Sequence, residues 1–387
     1  MALAWDIFCS VVDNYGDIGV CWRLARQLAA EQKQTVRLWL DDVASLNRLC
    51  HAADPAKGAQ DLVGVEVRRW NGGEAAAWPP VEAADIVIEG FGVRLPAPYV
   101  AAMARRERAP VWINLEYLSA EDWVESHHGL PSPQADGRLV KYFFFPGFTP
   151  RTGGLIVERG LAAARDRFQQ DAAAVAGFRR RIGIAGDTPD SDCLWLSLFC
   201  YENAALRPLL DAWTAGNQRV ICVVPEGRAL EQVSAILGRT LAPGASLELA
   251  RAVRIAAIPF LEQDDYDRLL WSCDINFVRG EDSFVRAQLA ARPLIWQAYP
   301  QEADAHLAKV NAFVKRYAEN LEAGAGAALA DMTLAWNGHA AQTSTGWSGF
   351  CEALPALTSH AASWAGRVAH GSSLAERLAK FCKNKLK

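Results

Sequence analysis

The chain has 387 residues, enough for two domains with sizeable cores. Apolar residues make up 51 % and charged residues 22 %, no apolar run is long enough to span a bilayer, and the first residues, Met1 to Asp6, lack the basic and apolar regions of a signal peptide, so a soluble, cytoplasmic protein without a membrane partner is expected. Forty Lys and Arg against 44 Asp and Glu leave a net charge of −4 with no dense basic block before the final helix, which argues against nucleic acid as a direct partner.

Strand-like and helix-like segments alternate through the first half. Residues 4–12 form an apolar strand candidate, and 18–31 carry helical periodicity through Val20, Leu24 and Leu28. A strand at 36–40 precedes a helix capped near Asp42. Further short strands are predicted at 65–70, 85–88 and 111–115, with a helix at 97–108. Residues 146–154, rich in Pro, Gly and Thr, read as a loop or linker. One helical stretch follows at 161–181, then a second breaker-rich loop at 183–192. The alternation then restarts, with strands at 194–200, 219–224, 253–258 and 274–278 and helices at 206–214, 228–237 and 262–271. From about 303 onward the chain is mainly helical, and 372–387 is placed to cross back to the first domain. Alternation of this kind implies parallel sheets with helices on both faces. The expected architecture is α/β, with two doubly wound domains facing a central cleft where ligands meet the carboxyl ends of the strands. Such a layout is shared by GT-B glycosyltransferases, two-domain dehydrogenases and periplasmic-type binding proteins.

The nine cysteines are scattered without a CxxC pair, and the histidines show no HExxH or metal-ligand spacing. Buried free thiols and no metal site are therefore expected.

Three segments offer chemistry. The first, Val12-Asp13-Asn14-Tyr15-Gly16-Asp17-Ile18-Gly19, runs from a strand into a helix. Its glycines permit close approach of a ligand, but it is neither GxGxxG nor a P-loop. Two carboxylates four residues apart point to a site, although an N-cap at Asp17 and an Asx-turn at Asp13 account for them as well. The second, Asn276 to Arg286, passes from strand through Gly280 into a helix whose exposed N–H groups, with Ser283 and Arg279, suit a diphosphate. Glu281 and Asp282 suit sugar or ribose hydroxyls, and a capped helix with dipole-complementing acids explains the segment equally well. The third, Ile258 to Asp267, holds Phe260 and Gln263, an aromatic face and an amide that fit a pyrimidine, with core packing the simpler use of Phe260. Phe199 and Tyr201 end a strand near the same edge.

These segments resemble a known family. The runs Asp6-Ile7-Phe8-Cys9, Asp13 to Val20, Trp22-Arg23-Leu24-Ala25-Arg26, Asn114 to Glu121, Pro131-Ser132-Pro133-Gln134, Gly153-Gly154-Leu155, Ile258-Pro259-Phe260 and Arg279 to Gln288 are similar to the EarP family of elongation factor P (EF-P) arginine rhamnosyltransferases. The resemblance implies a GT-B fold with an N-terminal acceptor domain at 1–158, completed by a helix at 367–387, and a donor domain at 159–366. It implies transfer of L-rhamnose from dTDP-β-L-rhamnose to one loop arginine of EF-P, a modification that activates EF-P, with inversion and with no metal or other cofactor. By position, Asp13 and Asp17 would be the acceptor-side acids, with Asp17 as base and Asp13 orienting. Tyr15 and Gly16 would border the donor. Phe199, Tyr201, Phe260 and Gln263 would line the thymidine, and Arg279, Gly280, Glu281, Asp282 and Ser283 would hold diphosphate and sugar, with Glu281 also counted as catalytic. A glycosyltransferase of the same fold with another sugar or acceptor, a dehydrogenase and a non-enzymatic nucleotide-sugar-binding protein are the alternatives.

Overall fold

The computed structural model describes residues 2–11, 15–70, 81–135, 137–184, 193–249 and 253–386. The chain forms two compact units, Met1–Arg159 with Gly371–Lys387, and Gly160–His370.

The first unit is built on an eight-stranded sheet. Its strands in chain order are β1 (Ala4–Cys9), β2 (Thr35–Leu40), β3 (Ala59–Leu62), β4 (Val65–Arg69), β5 (Ile86–Gly90), β6 (Val111–Leu115), β7 (Pro131–Pro133) and β8 (Val140–Phe144). They lie in the order β3-β4-β2-β1-β5-β6-β8-β7. The six inner strands are parallel and only β3 and β7, at the two edges, pair antiparallel. β1, β5 and β6 are apolar over most of their length because helices cover both faces. Around Phe8 the rings of Trp39, Trp70 and Tyr99 converge with centroids 4.8–5.6 Å away. The fully buried Asp6 is satisfied there by a bidentate Arg37 at 2.6 Å, by Trp39 Nε1 at 3.0 Å and by the Tyr99 hydroxyl.

The final helix, Leu374–Lys385, completes this unit. Ser373 and Glu376 form a capping box at its start. Leu374 N–H donates to the Leu155 carbonyl at 2.7 Å, Arg377 donates to the carbonyls of Thr149 and Thr152, and Phe381 packs edge-on against Tyr142 and Phe144.

The second unit carries β9 (Cys193–Leu198), β10 (Arg219–Pro225), β11 (Ser246–Leu249), β12 (Val253–Ile258), β13 (Ile275–Arg279) and β14 (Leu294–Gln297), in the order β11-β12-β10-β9-β13-β14. All pairs are parallel except β11 with β12. Helices at His306–Tyr317, Ala323–Asn337, Thr343–Glu352 and Leu354–Ala369 complete it.

Several elements depart from the sequence reading. The stretch 161–181 is two helices, Leu161–Gln170 and Ala172–Arg181, because Asp171 leaves the helical conformation and accepts from Ala174 N–H as an N-cap. The helix predicted to reach 108 ends at Arg105. Strands β3, β7, β8, β11 and β14 were not anticipated: β3, β7 and β11 are short, half-exposed edge segments, and β14 is four residues behind Pro293, too short for a period to register. All nine cysteines are free thiols. Burial pushes Cys200 and Cys273 up to about 12, so these thiols stay protonated and inert at neutral pH.

Candidate functional site

In each unit the residues singled out from the sequence gather at the carboxyl ends of parallel strands. In the first unit, Asp17 lies one residue inside the helix Gly16–Ala30, which follows β1. The cap position is Tyr15, which makes no side-chain cap, so Asp17 does not serve as N-cap. Its side chain instead accepts a hydrogen bond from the Tyr117 hydroxyl at 3.2 Å. Asp17 is only 1 % exposed, and a carboxylate there benefits from the positive end of the helix dipole. Asp13 lies outside the described residues.

Tyr117 stands two residues past β6, and its ring stacks on Phe91, just past β5, with centroids 4.5 Å apart. Close by in the sheet, Lys141 on β8 donates to Glu89 at 2.6 Å and sits over the Trp112 ring. Burial raises the carboxyls of Glu89 and Glu116 above the usual range, and Lys141 opposes the shift in both.

In the second unit, four strand ends contribute. Phe199 and Tyr201 follow β9, Phe260 and Gln263 follow β12, Arg279 ends β13, and Tyr299 follows β14. The Arg279 guanidinium stacks over Phe199 at 4.5 Å and Tyr201 at 4.3 Å from the ring centres. Such an arrangement holds a cation against two aromatic rings. Phe199 leans edge-on against Tyr266, and Tyr201 against Tyr299. Tyr201 is anchored by its N–H to Gln297 Oε1 at 2.9 Å. Tyr299, 53 % exposed, presents an aromatic that the sequence reading missed, because without β14 nothing placed it at a strand end.

Gly280 makes the turn from β13 into the helix Asp282–Leu289 with φ of +65°, the left-handed region. Its carbonyl accepts from Trp296 Nε1 at 2.9 Å. Glu281 precedes the helix and pairs with Lys309 Nζ at 2.7 Å, a partner from the helix His306–Tyr317 that the sequence left unremarked. Asp282 accepts from Gln263 Nε2 at 3.3 Å, so the buried Gln263 amide braces the helix start in this conformation. The Ser283 hydroxyl donates to the Arg279 carbonyl and accepts from Arg279 N–H at 3.3 Å, which ties the first turn back to the strand. Phe260 is half-buried in the loop before the helix Gln263–Ser272. Beneath these groups, Arg286 forks onto Asp267 at 2.9 and 2.6 Å, locking the two site-bearing helices together. Burial also raises the Tyr266 hydroxyl far above the ordinary tyrosine value.

The second site thus offers aromatic faces that suit a base, a cation and a helix amino terminus that suit a diphosphate, and two carboxylates that suit sugar hydroxyls. Among the described residues, no three His, Cys, Asp or Glu side chains converge as a metal ion requires, and no helix is long and apolar enough to cross a membrane.

Known proteins resemble this chain along its whole length. A protein from Pseudomonas putida named protein-arginine rhamnosyltransferase is 48 % identical over 386 residues, covering 100 % of both chains. One of the same name from Pseudomonas aeruginosa is 48 % identical and covers 98 % of both. A solved structure described as the structural basis for EarP-mediated arginine glycosylation of translation elongation factor EF-P matches with a TM-score of 0.70 at 36 % identity, over 99 % of both chains. MurG from Acinetobacter baumannii, 12 % identical with a TM-score of 0.51 and 99 % of this chain covered, shares the GT-B fold alone. The family model described as Elongation-Factor P (EF-P) rhamnosyltransferase EarP matches residues 5–383, and the chain belongs to that family.

Proposed function

We propose that this protein transfers L-rhamnose from dTDP-β-L-rhamnose to an arginine side-chain nitrogen of EF-P, with inversion at the anomeric carbon and without a metal. The observation that carries the reading is the full-length likeness to proteins named protein-arginine rhamnosyltransferase. The aromatic and cationic cluster in the second unit supports a nucleotide-diphosphate donor there, and the buried acid at a helix start in the first unit supports a guanidinium acceptor.

A guanidinium is a poor nucleophile because it is protonated and its lone pairs are delocalised. A carboxylate can hold its planar face by charge-assisted hydrogen bonds and accept a proton as the nitrogen attacks. Asp17 takes the base role and Asp13 the orienting one. The new C–N bond forms on the face opposite the departing dTDP, so a β-linked donor gives an α-linked product. The leaving diphosphate gains negative charge, and the N–H groups at Asp282 and Ser283 stabilise it. Preorganised donors of this kind contribute roughly 3–4 kcal/mol each in other enzymes. Arg279 adds a fixed positive charge, and Glu281, held by Lys309, accepts from sugar hydroxyls.

The test is intact-protein mass spectrometry of EF-P after incubation with this protein, dTDP-β-L-rhamnose and a metal chelator. A gain of one deoxyhexose, mapped to a single arginine, is expected. No gain with competent EF-P and donor sinks the reading of donor and acceptor, while a gain that needs restored divalent metal sinks only the metal-free mechanism.

A further inference from the structure

Tyr117 touches both Phe91 and Asp17 with its side chain. The ring stacks on Phe91 at 4.5 Å with an interplanar angle of 17°, and the hydroxyl donates to Asp17 Oδ1 at 3.2 Å. A tyrosine serving the core would be buried, yet Tyr117 is 36 % exposed. Its backing ring is held at a cost: Phe91 has φ of +59°, a left-handed conformation that bulky L-residues adopt rarely. The Phe91 N–H is fixed by the Leu115 carbonyl at 2.8 Å, so the strained residue is tied to the very strand from which Tyr117 emerges.

The loop that carries Tyr117 is pinned on its other side too. Glu116 N–H donates to the Phe144 carbonyl at 3.0 Å, and the Glu116 carboxylate accepts from Asn114 Nδ2 at 2.5 Å. Asn114 Oδ1 in turn accepts from Gly92 N–H at 3.2 Å, linking the loops after β5 and β6 once more. A strained residue tied to β6, beside a loop pinned by three further hydrogen bonds and backing a half-exposed ring whose polar tip reaches one carboxylate oxygen, amounts to a rigid arm aimed at Asp17.

We propose that Tyr117, backed by Phe91, is a positioning residue that holds the Asp17 carboxylate in the orientation needed to receive the arginine proton. The tyrosine hydroxyl holds Asp17 Oδ1, and a carboxylate held by one oxygen keeps a fixed orientation. The inference rests on Asp17 being the general base.

The test is steady-state transfer to EF-P by the full chain at saturating dTDP-β-L-rhamnose, comparing wild type with Tyr117→Phe, Phe91→Leu and Asp17→Asn. Tyr117→Phe keeps the ring and loses the hydroxyl. Loss of a hydrogen bond to a charged group predicts a kcat lower by about 10-fold or more, with the acceptor KM within about twofold of wild type. Phe91→Leu is expected to lower kcat in the same direction by less, and it decides the matter should Tyr117→Phe fail to fold. A raised acceptor KM with unchanged kcat would make Tyr117 a direct acceptor contact and overturn the proposal. A kcat above wild type would make it a latch over Asp17 and overturn it as well. An inactive Asp17→Asn beside a normal Tyr117→Phe removes the positioning role alone, whereas an active Asp17→Asn removes the base assignment and the positioning role together.

Discussion

Replacing Asp267 by Asn probes the support under the residues proposed to hold the donor. Asp267 and Arg286 have side chains 6 % and 2 % exposed, and the carboxylate accepts from two guanidinium nitrogens, Nε at 2.9 Å and Nη2 at 2.6 Å. The pair joins the helix that begins at Gln263 to the helix that begins at Asp282. Asn keeps the shape but withdraws the charge and one acceptor oxygen, while Arg286 stays charged and buried. Breaking a buried ion pair from one side costs about 3–5 kcal/mol, because the remaining charge is still desolvated. For a unit of this size the loss lowers the melting temperature by roughly 6–20 °C. Thermal unfolding followed by tryptophan fluorescence is well placed, since Trp271 and Trp296 both lie in this unit. The variant should also bind dTDP more weakly, because Gln263 and Asp282 lose their fixed spacing. A melting temperature within about 2 °C of wild type, equivalent to under 1 kcal/mol, would refute the view that this pair holds the helices in place.

Three further outcomes are expected. Gly280→Ala places a Cβ on a left-handed residue and should cost about 1–2 kcal/mol of stability and weaken dTDP binding in a titration; unchanged affinity would show that the turn tolerates displacement. Phe199→Ala removes one ring from the Arg279 contact and should weaken dTDP binding by about 1–3 kcal/mol; an unaltered dissociation constant would remove Phe199 from the proposed donor site. His128 lies against Phe144 and Phe381, and burial, helped by the Arg377 charge, lowers its pKa from the ordinary 6.5. The unfolded chain then binds a proton that the fold refuses, so stability is full above pH 6.5 and is lost as pH falls towards the lower folded value. His128→Asn should flatten the pH dependence of the denaturation midpoint over that window, and an unchanged slope would contradict it.

The doubly wound architecture was legible because buried strands such as β1, β10 and β12 leave predominantly apolar runs between periodic helices. Edge strands are read poorly for the opposite reason: β7 contains two prolines and β3 alternates with exposed polar residues. Within the site, glycine and acidic residues at strand-to-helix turns announced themselves through local chemistry, and Gly280 adopts the left-handed turn that suits glycine. Partners that arrive from distant segments left no such mark. Tyr117 reaches Asp17 across 100 residues and Lys309 reaches Glu281 across 28, and only the packing of separate elements makes those pairs visible. Asp17 shows the limit of local reasoning most clearly. A cap was a sound expectation from its neighbours, yet the helix begins two residues earlier than a cap at Asp17 requires, and the side chain turns to a hydroxyl supplied by the loop after another strand.

The most direct measurement is a single-turnover experiment with Asp17→Asn, following rhamnose transfer to EF-P and dTDP-β-L-rhamnose binding in the same preparation. If Asp17 is the base, transfer is abolished while the donor dissociation constant stays within about twofold of wild type, the pattern of a lost transition-state interaction. Transfer near the wild-type rate would contradict the assignment and return the proton-accepting role to another acid.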